Sequence, residues 1–110
     1  MIITFQSQAA GDVMMFGDVA KKLMELMGKT PADQGIVTVE QLPAAIADLK
    51  AAVADDKSKH AGLQEEDLPA FEETPDGAKR TYVSLARRAI PLIELLEWSL
   101  KKQVPVVWGV

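Results

Sequence analysis

The chain has a single histidine, His60, and metal or acid–base chemistry would start there. Asp56 stands four residues before it, so one helical turn would let the two meet, and a carboxylate such as Glu65 could complete an N/O ligand set for a metal ion. Metal sites need several convergent ligands in fixed geometry. A solvated histidine among loop acids is the ordinary reading. The run Glu65-Glu66-Asp67, with Glu72-Glu73, could hold calcium or meet a basic partner, but it lacks EF-hand spacing. Most such runs are solvated faces. No HExxH, glycine-rich phosphate loop or G-x-S-x-G elbow occurs. Ser7, Ser58, Ser84 and Ser99 have no neighbouring base, and the absence of cysteine removes thiolate nucleophiles, disulfides and sulfur-ligated metals together. The sequence therefore assigns no catalytic, cofactor-binding or metal-ligating residue and calls for no cofactor.

Binding is better represented. Trp98 lies on a helical pattern roughly opposite Leu85 and Leu92, close to Arg87, Pro91, Glu94 and Lys101. A large aromatic on a polar helix face, beside a proline ring and two cations, has the make-up of an interaction anchor, since Trp and Arg are enriched in binding hot spots. Against that stands the possibility that the Arg87 and Lys101 stems, or the charged segment, cover it. Met14, Met15, Met24 and Met27 are read as gap-filling core, with an adaptable apolar pocket as the alternative. Met14 and Met15 cannot share one face of a strand, so one of them meets a helix or a partner subunit.

Charge is unevenly placed. Of the 16 acids and 12 bases, eight acids and four bases lie between Asp55 and Arg80, so the whole net charge of −4 belongs to that segment. A nucleic-acid binder draws affinity from neutralising phosphates, and this balance argues against one. The longest uncharged stretch, Met1 to Gly11, is too short for a membrane span and lacks the pattern of a signal peptide. The expectation is a soluble, cytoplasmic protein with no membrane partner.

The elements that must position these residues follow from periodicity. "IITFQS" puts Ile2, Thr4 and Gln6 on one side of a pleat and Ile3, Phe5 and Ser7 on the other. With "DVMMF" beyond a small-residue connection it reads as a β-hairpin. Gly17-Asp18 reads as a helix start with Asp18 as N-cap, Val19, Leu23, Leu26 and Met27 form its apolar stripe, and Gly28 stops it. "IVTV" is a short strand or an extended entry. Thr38 and Gln41 have the form of a capping box for a second helix at about 39–54, with Leu42, Ile46, Leu49 and Val53 inward. Residues 55–80 lack sustained periodicity and read as a mobile connection or a lid, with Leu63, Leu68 and Phe71 available to clip it down. The last helix runs from Tyr82 to Gln103. Pro91 falls on its solvent face and bends it around the core. "PVVWGV" closes the chain as a strand with Val106 and Trp108 on one face and Val107 on the other, docked beside an N-terminal strand.

Three stretches, "ITFQSQAAGDVMMFG", "GKTPADQGIVTVEQLPAAIADLKAAVA" and "SLARRAIPLIELLEWSLKKQVPVVWGV", make the chain resemble a small bacterial family known as domain of unknown function 1840. The order of these blocks and the closing "PVVWGV" are the specific part; alanine-rich helices are not. The resemblance covers nearly the whole chain except the acidic segment. It implies a stand-alone cytoplasmic protein of proteobacterial type and carries over no activity, cofactor or site residue.

The 110 residues form one domain. Its fold is α+β, with a small, mainly antiparallel sheet from the N-terminal hairpin and the C-terminal strand, packed on about three helices. Neither "IITFQS" nor "PVVWGV" carries a charge, and unprotected edges need pairing, cover or charge. The expected function is a non-catalytic module that forms a homo-oligomer or binds a protein partner, through an exposed sheet edge or through Trp98, Pro91, Arg87 and Lys101. The alternative is a small-metabolite binder or minor enzyme with residues 55–80 as a lid.

Overall fold

The computed structural model describes residues 1–59 and 70–110. Alternating side chains build the first hairpin. Strand β1 (Ile2–Ser7) turns at Gln8-Ala9 into β2 (Ala10–Phe16), with Ile2 opposite Phe16 and Thr4 opposite Met14. Ile3 and Phe5 are buried while Ile2 is exposed, the alternation a half-buried strand requires. Helix α1 (Gly17–Leu26) follows at once. It ends in a Schellman motif, in which Gly28, at φ +83°, donates to the Glu25 carbonyl and Lys29 donates to that of Met24.

Strand β3 (Gly35–Val37) leads to helix α2 (Leu42–Lys59). The capping box is half present, with the Gln41 Oε1 reaching back to accept from the Thr38 N–H at 3.1 Å. The helix runs past the expected end at 54, and Val53 is its last buried apolar residue. Strands β4 (Phe71–Glu73) and β5 (Lys79–Thr81) form a second, separate hairpin that the periodicity did not reveal. Helix α3 (Leu85–Lys102) begins three residues later than expected. Ser84 is its N-cap, with Oγ accepting from the Arg87 N–H. Pro91 lies inside it on the exposed side. Strand β6 (Val106–Trp108) then enters the main sheet.

The main sheet has the order β2-β1-β6-β3, and every pairing in it is antiparallel. This is the expected α+β architecture, with the C-terminal strand beside β1. The strand order corrects one expectation. The uncharged strands β1 and β6 are interior, and the edges are β2, which carries Asp12, and β3.

All the sealed apolar side chains lie between one sheet face and the helices. Phe5, Val37, Val106 and Trp108 come from the sheet, Leu23 and Met24 from α1, Leu42 and Leu49 from α2, and Leu92, Leu95 and Leu96 from α3. Trp108 is the anchor. Its ring tilts against Phe5 at 5.5 Å between centroids, and its Nε1 donates to the Ala32 carbonyl. Opposite it in register stands Gly35, where a Cβ would come within 2.3 Å of the indole. One polar pair, a buried serine with a half-buried one, lies in the same layer. The buried Ser99 Oγ donates to the Leu95 carbonyl at 2.6 Å and lies 2.7 Å from the Ser7 Oγ, which ties α3 to the end of β1.

Candidate interaction site

Because the three helices crowd one face of the sheet, the other is left open. The pleat that buries Ile3 and Phe5 sends Ile2, Thr4 and Gln6 outward. The β1–β2 register sets Phe16 beside Ile2 and Met14 beside Thr4, and β6 and β3 add Val107 and Ile36, which face each other in register. Ile2, Met14, Phe16 and Ile36 are all exposed, Met14 by 70%. Across this face runs a shallow groove of about 420 Å³ with Ile2, Thr4, Gln6 and Met14 along it and Asp12 and Asp33 at its rim. Four strands about 4.8 Å apart and roughly five residues long give a footprint on the order of 300 Å² before side-chain relief is counted. The largest apolar patch on a typical monomer is on the order of 300–600 Å² and is often functional; here Ile2, Met14, Phe16 and Ile36 share the face with Thr4 and Gln6. Met14 and Met15 fall on opposite faces, as strand alternation requires: Met15 packs on the core and Met14 stands outside. Met24 and Met27 are core residues, not the wall of a pocket.

The expected Trp98 surface is on the far side of the molecule. Trp98 is 49% exposed, and Lys101 lies over its ring with the ammonium 5.1 Å from the centroid. Arg87, Pro91 and Glu94 are exposed along the same ridge of α3, and Ile90 is exposed beside them. The Lys101 ammonium therefore sits over the ring, which stays half exposed. The two surfaces are separated by the helical layer, so they cannot act on one ligand.

A third feature joins elements distant in sequence. Asp18 was expected to cap α1. The N-cap position falls instead on Phe16, and Asp18 sits in the first turn, where Arg80 of β5 holds it through two hydrogen bonds, Nη1 to Oδ1 at 3.0 Å and Nη2 to Oδ2 at 2.6 Å. Arg80 also reaches Glu72, its cross-strand partner, at 3.3 Å, and Glu72 accepts from Arg88 of α3 at 2.5 Å and from the Val83 N–H. The Arg80 guanidinium lies 4.7 Å from the centre of the Phe16 ring. The Arg80 bonds hold the Asp18 carboxyl below its ordinary range. Burial pushes Glu72 upward, but the bonds from Arg88 and Arg80 outweigh it and leave Glu72 lowered as well. Arg80 is shifted upward, chiefly by its bonds to Asp18. Between this hairpin and the start of α1 lies an open cleft of about 550 Å³, lined by Met1, Phe16, Gly17, Pro75 and Ala78 among others. The hairpin was the part of the expected lid most legible in retrospect, since Thr74-Pro75-Asp76-Gly77 is turn chemistry between two short alternating runs.

His60, Leu63, Glu65, Glu66, Asp67 and Leu68 lie outside the described residues. Among the described residues no group of three or more His, Cys, Asp or Glu is placed to hold a metal ion, and no helix is long and apolar enough to cross a membrane.

A family model described as a domain of unknown function (DUF1840) matches residues 1–108, and the chain belongs to that family. No curated protein and no solved structure matches it.

Proposed function

We propose that this member of the family is a non-catalytic, self-associating module of the cytoplasm, whose open sheet face packs on the same face of a second copy. The observation that carries the reading is the strip of exposed apolar side chains Ile2, Met14, Phe16 and Ile36 on the face away from the helices. Its centre carries Thr4, Gln6 and Val107 and no charge. Two copies meeting there about a two-fold axis would desolvate mainly apolar and amide groups, provided that Asp12 and Asp33, which also line the groove, stay at the solvated margin of the contact. Such a face also suits face-to-face sheet packing, with the two sheets about 10 Å apart. The cysteine-free composition is in keeping with a reducing compartment.

A native mass spectrum over a range of protein concentrations tests this directly. Twice the chain mass, growing with concentration, is the expected result. A monomer throughout contradicts it. A monomer that carries extra mass other than a whole chain also contradicts it, and shows a bound small ligand instead.

A second reading rests on Trp98. Half exposed on the outer ridge of α3 and flanked by Arg87, Pro91 and Lys101, it has the composition of a hot spot for a protein partner. That reading needs Trp98→Ala to abolish partner binding while leaving self-association intact.

A further inference from the structure

The hairpin β4–β5 is built unlike the rest of the molecule. It pairs only with itself, and no residue from 71 to 81 belongs to the hydrophobic core. Only Glu72, Thr74 and Arg80 within it are half-buried, and Phe71, its one large apolar side chain, is 63% exposed. Its turn is self-contained, with Thr74 donating to the Ala78 carbonyl and Gly77 donating to that of Thr74. Among the described residues, the polar ties to the body run through two side chains. Arg80 reaches Asp18 on α1 and rests on Phe16, and Glu72 reaches Arg88 on α3 and the Val83 N–H. An apolar seam would hold regardless of ionic strength; a seam of ion pairs weakens with salt and with any group that competes for its charges. The closed position also carries a defect, because the Arg80 Nε is buried with no hydrogen-bond partner among the described residues. That cost exists only while the hairpin is docked.

We propose that β4–β5 is an ion-latched strap, closed by the alternating chain Asp18–Arg80–Glu72–Arg88, which moves off the body as a unit and in doing so regulates the association face. The regulatory half rests on the self-association reading above. Phe16 is the link. It stands opposite Ile2 in register on the open face, and the Arg80 guanidinium covers part of its ring. Phe16 is already 44% exposed, and releasing the strap uncovers the part of its ring that lies under Arg80, which lengthens the apolar strip offered to a second copy.

The test is millisecond hydrogen exchange on the full chain at roughly 0.05 M and 0.5 M NaCl, with sedimentation velocity on the same samples, for the natural chain and Glu72→Gln. A latch predicts that high salt makes the hairpin amides exchange about tenfold faster while β1 and β6 keep their protection. Glu72→Gln gives the same pattern already at low salt. If hairpin amides exchange in step with β1 and β6 under both conditions, the hairpin belongs to the cooperative core and the latch is wrong; the salt comparison needs no variant to fold. Stronger association of Glu72→Gln than of the natural chain supports regulation, and equal or weaker association with a released hairpin overturns it. A monomer in every sample, with the hairpin released, removes the association face and its regulation and leaves the latch standing.

Discussion

Single residues decide how closely this small sheet packs. Gly35 gives up its side chain so that the Trp108 indole can lie against the backbone. Gly35→Ala forces that ring or the β3 strand to shift and is expected to destabilise the fold by about 3 kcal/mol, the upper end of overpacking costs, as read from the urea midpoint. Gln103 is a change available in the other direction. It closes α3 in the left-handed conformation at φ 57°, with its N–H on the Leu100 carbonyl and the Val104 N–H on that of Ser99. Gln103→Gly is expected to raise stability by about 0.5 kcal/mol; thermal unfolding of the pair checks it. At this scale the sequence was legible wherever alternation was strict. Ile3, Phe5, Val106 and Trp108 are buried as their periodicity requires. Asp18 was misread because a carboxylate near a helix start looks like a cap, and nothing local shows that Arg80, 62 residues away, claims both of its oxygens.

At the scale of elements, stripes of apolar residues located the helices and Gly28 marked the end of α1, while the Thr38–Gln41 pair placed the start of α2 at 39, three residues before the observed Leu42. The hairpin β4–β5 escaped because its strands are three residues long and polar on both faces, so they carry no hydrophobic period to detect. Its attachment predicts a definite response to acid. Asp18 and Glu72 both have lowered folded-state pKa values, and that of Arg80 is raised. A carboxyl with a lowered folded pKa contributes docking energy that is fully present above its ordinary value, 3.8 for Asp18 and 4.5 for Glu72, and is lost as the pH falls through the folded value. Cleavage at the hairpin by an acid-active protease should therefore rise steeply below about pH 4 and should not change between pH 6 and 8. Asp18→Asn should flatten that rise. A hairpin equally resistant at pH 3 and pH 7 would mean that the ion chain contributes little to holding it.

For the whole molecule, the sequence indicated one sheet and three helices but not the strand order, which depends on pairings between residues distant along the chain. With β1 and β6 interior, their uncharged edges are already paired, and the surface they leave is the face turned away from the helices. That face could not be seen in advance. Ile2 and Met14 look like ordinary strand residues until it is known that all three helices lie on the other side. Sedimentation velocity on the natural chain, Met14→Glu and Trp98→Ala bears on the open face most directly. Met14 is exposed and outside the core, so a charge there should leave thermal stability within about 0.5 kcal/mol while opposing burial of the face. The account predicts that the natural chain and Trp98→Ala associate alike and that Met14→Glu sediments as a monomer. Association unchanged in Met14→Glu but lost in Trp98→Ala would contradict it and transfer the interface to the α3 ridge.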